Sequence, residues 1–123
     1  MQIYESLRAA RKQFVAVAGD FNDTPSSAPL RPLLQETDLR DASAHPAFDD
    51  GGFAGTFGSC TAGNKIDYLL LSPALFARVQ GGGVCRKGMW PGVKPVKWAT
   101  FPEIKRPEDV ASDHAALWVD ADL

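Results

Sequence analysis

Two cysteines and two histidines are all the thiol and imidazole in this chain of 123 residues. Cys60 and Cys85 fit no metal-binding spacing of the C-x-x-C kind, which excludes a thiolate metal centre of that type. Both pairing in an oxidising compartment and two free thiols stay open. Long apolar runs are missing too: nothing approaches the roughly 18 consecutive apolar residues of a membrane span, and the first fifteen or so residues scatter charges where an export signal would carry an apolar core. The chain as given carries no export signal, and its localisation, secreted or cytoplasmic, stays open. A large charge of one sign is also lacking. The net charge of −2 excludes a surface that attracts nucleic acid all over. Internal repeats and low-complexity tracts are absent. What is present, 45% hydrophobic and 23% charged residues, suits one globular domain over residues 1–123 with a core of its own.

The pattern along the chain is that of an α/β protein. "QIYESLRAARK" places Ile3, Leu7 and Ala10 at helical spacing, with basic residues in the last turn. "FVAVA" is a compact apolar run stopped by Gly19 and predicts a strand buried on both faces. In "TPSSAPLRPLLQE", Ser26 or Ser27 caps a helix that Pro32 keeps brief. Residues 38 to 64 read as loop, with at most a short strand around Thr56 and Phe57. "KIDYLLLSP" is a strand built around one acid and closed by Pro73, and another strand is expected within residues 79 to 87. "DHAALWVDADL" alternates in the manner of a sandwich strand. Between Gly88 and Ala111 no period appears, and a stretch of that length in a small domain is commonly a lid, a binding loop or an insertion.

"VAVAGDFNDTP" raises a chemical question, because Asp20, Asn22 and Asp23 crowd the end of a buried run. Gathered carboxylates repel one another unless a cation or a proton compensates them. Two other strand borders carry acids, in "KIDY" and "SDH". Each alone has an ordinary reading: Asp20 and Asn22 as turn residues, Asp67 with His114 as a structural pair, Asp23 as a cap. His45 reads as a solvated loop histidine, and Lys65 is assigned no function. Charge is uneven as well. From Arg86 to Asp109 there are six basic residues against three acids, which leaves −5 on the remainder. Solvated loop charge and a positive loop facing a phosphate are both compatible with that excess. Trp90, Trp98 and Phe101 in the same region can pack the loop or stack a base.

Taken in order, "GDFN", "KIDY" and "SDH" resemble the endonuclease/exonuclease/phosphatase superfamily, which includes pancreatic deoxyribonuclease, apurinic endonucleases, sphingomyelinases and inositol polyphosphate 5-phosphatases. "TFPEIKRPEDVASDHAALWVD" looks like the tail of bacterial members. The resemblance implies the C-terminal half of a four-layered α/β/β/α sandwich, with mostly antiparallel or mixed sheet and flanking helices. It implies a metal-dependent phosphoesterase using Mg²⁺ or Mn²⁺. Asp20 matches the acid that orients or deprotonates the attacking water, and Asn22 the amide that binds the phosphate. Asp67 matches the carboxylate that holds the histidine, His114 the imidazole on the phosphate, and Asp113 an acid at the metal. These roles agree with the chemistry, since a phosphodiester is already negative and needs a cation, donors where charge collects, and a base near the water.

Members of that superfamily usually exceed twice this length, and their N-terminal half supplies an asparagine and a glutamate to the metal. Here Glu5 lies on the first helix and no asparagine precedes Asn22. A single sheet of the sandwich would leave an apolar face bare, so a second chain or self-association is expected to cover it. The expected partner in solution is a phosphate ester, nucleic acid among the candidates. The other reading is a noncatalytic module that keeps the fold and binds phosphate or a partner.

Overall fold

The helical period at the start of the chain is real, but the buried face differs from the expected one. In the structure, a computed structural model describing residues 2–123, helix α1 spans Gln2–Ala9 and buries Tyr4, while Ile3 stays 78% exposed and Leu7 partly so. Tyr4 lies under the chain because its hydroxyl donates to Asp38, so it satisfies both an apolar and a polar requirement at once. Strand β1 (Ala16–Asp20) follows. Helix α2 (Arg31–Leu34) is brief, as Pro32 requires; it is preceded by a 3₁₀ turn over Ala28–Leu30 with Ser27 at its N-cap. Two very short strands, β2 (Arg40–Asp41) and β3 (Phe48–Asp49), lie in the region read as loop. Then come β4 (Asp67–Leu71), α3 (Pro73–Phe76), β5 (Val79–Cys85) and β6 (Ala116–Ala121).

The strands form two three-stranded sheets instead of one: β1-β4-β2, all antiparallel, and β3-β5-β6, in which β3 pairs parallel to β5. Among the described residues β1 pairs only with β4, which makes it an edge. The expectation of burial on both faces is therefore corrected. Val17 faces the helices and is half-buried, whereas Ala16 and Ala18, on the opposite face, are exposed. Alternation explains the difference, because successive side chains leave a strand on opposite sides and here only one side is covered.

Two apolar clusters fill the covered regions. On one face of β4, Tyr68 and Leu70 pack with Tyr4, Val15, Leu30, Leu33 and Leu39. On the other, Leu71 packs with Ala42, Phe76 and Val79, and Val119 of β6 leans on this second cluster. Ser72, fully buried, ties the start of the first sheet to the end of β4: its Oγ accepts from the Val15 N–H at 3.0 Å and donates to the Gln13 carbonyl. The triple glycine runs through β5. At Gly82 a Cβ would come within 2.9 Å of both the Phe48 ring and the Trp118 carbonyl, so only glycine lets β3 and β6 close on the strand from either side. Both cysteines are free, Cys60 buried and Cys85 exposed.

Candidate active site

Antiparallel register brings the first two acids together. Asp20 at the end of β1 stands directly opposite Asp67 at the start of β4, and partners in such a ladder share a face. Two carboxylates so placed repel each other. The third stretch supplies the relief: His114 Nδ1 lies 2.9 and 3.1 Å from the two Asp67 oxygens, and its Nε2 lies 3.7 Å from Asp20 Oδ2. A single imidazole thus sits between two acids from adjacent strands.

Thr56 holds this arrangement in place. It is buried, and its Oγ1 accepts from the N–H groups of Ile66 and Asp67 at 3.1 and 3.0 Å, which fixes the point where β4 begins. Its carbonyl accepts from the Ala115 N–H at 2.8 Å, and Phe57 makes a single antiparallel bridge to His114. The Phe57 ring lies 4.9 Å from the imidazole, and the Gly58 N–H donates to the Asp113 carbonyl at 2.9 Å. One residue therefore sets both halves of the Asp67–His114 pair. The short strand expected around Thr56 and Phe57 is reduced to this bridge, and its effect on the site had no signal in the sequence beyond "TF" itself.

Of the other candidate residues, Asp113 reaches the imidazole and Asn22 is tied to Asp20. Asn22 is exposed and adopts a left-handed backbone, with its N–H donating to Asp20 Oδ1 at 2.8 Å. This is the turn chemistry expected of an Asp-x-Asn sequence, and it leaves Asp20 Oδ2 turned towards His114. Asp113 Oδ1 is 3.9 Å from Nε2. Side-chain exposure grades across the group: 16% at Asp67, 30% at His114, 46% at Asp20 and 71% at Asp113. The innermost acid is thus committed to the imidazole and the outer two face solvent. Asp20, Asp67 and His114 also place one ligand-type atom each within 4.8 Å of one another. His45 takes no part in the cluster; it is half-buried against Phe76 at 4.8 Å, which corrects its reading as solvated. Lys65 pairs with Asp41 at 3.2 Å and lies over the Tyr68 ring.

The fold and order of these parts agree with a known group. The model of the Endonuclease/Exonuclease/phosphatase family matches residues 2–114. The chain belongs to that family. Its members are in general hydrolases acting on ester bonds, and they commonly use divalent metals. A crystal structure of an endonuclease/exonuclease/phosphatase family protein from Bacteroides thetaiotaomicron superposes with a TM-score of 0.64 at 18% identity, covering 96% of this chain and 41% of that one. The likeness is one of fold, and the chain spans about two fifths of that relative's length. Comparison with proteins of curated function finds no match. Among the described residues of this family member, no helix is long and apolar enough to cross a membrane.

The electrostatics of the imidazole follow from its neighbours. The hydrogen bond to Asp67 raises the His114 pKa above its ordinary 6.5; burial opposes the rise, and the charges of Asp67, Asp20 and Asp113 add to it. A pKa raised on folding stabilises the fold fully below pH 6.5, and that contribution is lost as the pH climbs through the folded value. In the metal-free chain, Asp67→Asn is accordingly expected to lower the His114 titration midpoint, read from imidazole carbon-bound proton shifts against pH. An unchanged midpoint would show that Asp67 does not set the charge of the ring.

Proposed function

We propose that this chain forms the C-terminal portion of a phosphoesterase that hydrolyses its substrate with an activated water and depends on Mg²⁺ or Mn²⁺. The observation that carries the reading is the imidazole held by Asp67 on one nitrogen while the other faces Asp20 across 3.7 Å. An anchored ring whose pKa is raised is biased towards its charged form, a donor suited to an oxygen on which negative charge grows. His114 in this role contacts the phosphoryl group, and Asp67 positions it. Asp20 orients or deprotonates the water, helped by a turn that fixes one of its oxygens and frees the other. Asn22 supplies an amide to the phosphate.

The donor set suits a hard divalent cation. Asp20 and Asp113 offer open carboxylate oxygens on the solvent side of His114, and magnesium takes oxygen ligands while keeping several waters. Asp113 is the metal-side acid in this reading, with Asp20 next to it; the bound cation would neutralise charge on the phosphoryl oxygens. Substrates are phosphate esters, nucleic acid among them. The bare face of β1, where Ala16 and Ala18 are exposed, is the surface that a second portion of the domain, a second chain or a second copy would cover.

The test titrates MgCl₂ and MnCl₂ against the purified chain with bis(4-nitrophenyl) phosphate, with and without a candidate N-terminal half. Nitrophenolate release that saturates in metal and stops with chelator is the expected result. Phosphate binding without turnover in either metal and either preparation would replace the enzyme with a noncatalytic binding module.

A further inference from the structure

The irregular segment after β5 builds something the catalytic cluster does not use. Its base is closed where the Ala111 N–H donates to the Gly88 carbonyl at 2.9 Å, and its interior is pinned where the Lys97 N–H donates to the Pro91 carbonyl at 3.0 Å. The Trp98 indole N–H donates to the Met89 carbonyl at 3.3 Å, and the Lys97 ammonium donates to the Ser59 carbonyl at 3.2 Å. These bonds hold open a pocket of about 270 Å³ walled by Met89, Trp90, Pro91, Trp98 and Val110. Its lining is mostly apolar, and its loop is already ordered by its own hydrogen bonds. Preformed apolar concavities with a few polar groups at one end are the usual form of a ligand site.

Position gives the pocket its meaning. Asp113 lines it and also brings its carboxylate to 3.9 Å from His114 Nε2. A ligand whose phosphoryl group meets His114 therefore has the pocket next to it, one residue along the chain. We propose that this pocket receives the apolar substituent of the phosphate ester that reacts at His114, so that ring-sized or chain-like apolar esters are selected over esters of small polar alcohols. The proposal rests on the phosphoesterase reading above. Burying apolar surface against the two indoles favours binding, whereas a small polar alcohol placed between the same walls would leave its hydroxyls without partners. Trp90 and Val110 thereby act on substrate choice and not on the chemical step.

The experiment uses ligands that cannot be hydrolysed, so binding is read without turnover. Methylphosphonate, octylphosphonate and 1-naphthylmethylphosphonate are titrated into the full chain with MgCl₂ by calorimetry and tryptophan fluorescence. Either apolar phosphonate is expected to bind at least tenfold tighter than methylphosphonate, and the order of octyl and naphthyl tells a chain from a ring. Ser59→Phe places a ring at the exposed mouth and is expected to erase that advantage while leaving methylphosphonate unaffected; Trp90→Ala provides a second variant that empties a wall. Equal affinity for all three ligands, with methylphosphonate binding still lost in His114→Ala, overturns the pocket and leaves the phosphoesterase reading standing. Apolar binding that is indifferent to His114→Ala and equally strong for 1-naphthylmethanol breaks the link between the pocket and the phosphate site.

Discussion

His114→Ala is expected to lower metal-dependent phosphodiester hydrolysis by on the order of 10²–10⁴-fold, the range in which removal of one positioned proton-transfer group or charge-stabilising donor falls. The ring is only partly buried, so the fold should survive, which circular dichroism would verify. The informative comparison is the double variant. Asp67 touches the imidazole through both carboxylate oxygens, so in this mechanism it acts through His114. Asp67→Asn should therefore cost activity in the wild-type background and almost nothing further once His114 is alanine, because groups that work as a unit are non-additive. A rate that His114→Ala leaves intact would remove the imidazole from the mechanism. Additive losses in the double variant would give Asp67 a role of its own.

The largest effect on stability is expected far from any acid. Arg86 is 5% exposed, and the reading of the segment's charge as solvated does not hold for it. Its guanidinium donates to the carbonyls of Asp50, Phe53 and Gly55 and lies near the rings of Phe53 and Trp98. Three carbonyls of one irregular segment thus converge on a single side chain. Gly55 is packed close against the Cys60–Thr61 backbone, where a Cβ would fall 2.2 Å from the Thr61 carbonyl oxygen. Arg86→Met takes the guanidinium from all three carbonyls, of which Gly55's is buried and Asp50's keeps the Phe53 N–H at 3.5 Å; at about 1–3 kcal/mol for a buried group left unsatisfied, a loss of about 2–4 kcal/mol is expected in denaturant unfolding. Arg86→Lys should not restore it, because an ammonium on a flexible stem does not match a planar fork that spans several acceptors. A loss below about 1 kcal/mol would mean that water replaces the guanidinium. The residue next to Gly55 is Thr56, so the same variant is expected to loosen the Asp67–His114 pair.

Several features of this chain were legible from residue order. Alternation in "DHAALWVDADL" matches β6, where Leu117 and Val119 are half-buried while Trp118 and Asp120 are exposed. "KIDYLLLSP" contains β4, although Pro73 opens α3 as well as closing the strand. The aperiodic stretch from Gly88 to Ala111 holds no strand among the described residues and a single 3₁₀ turn, Pro107–Asp109. Where the reading failed, the cause was a missing neighbour in space. Nothing local to "FVAVA" says that one face of β1 stays open, and nothing local to Ile3 says that Tyr4 wins the buried position through its bond to Asp38.

The amino-acid order by itself determined the strand and helix periods and the acids at strand borders, because these depend on spacing within one segment, and the succession of "GDFN", "KIDY" and "SDH" carried the resemblance to the family. Only the tertiary structure decided that Asp20 and Asp67 lie opposite each other with His114 between them, that Thr56 bonds both the start of β4 and the backbone beside His114, that Arg86 braces the carbonyl of the neighbouring Gly55, and that an apolar pocket adjoins the site. Register, buried hydrogen bonds and cavities are made by residues many positions apart, and the free energy that selects them is shared among partners no local pattern can name.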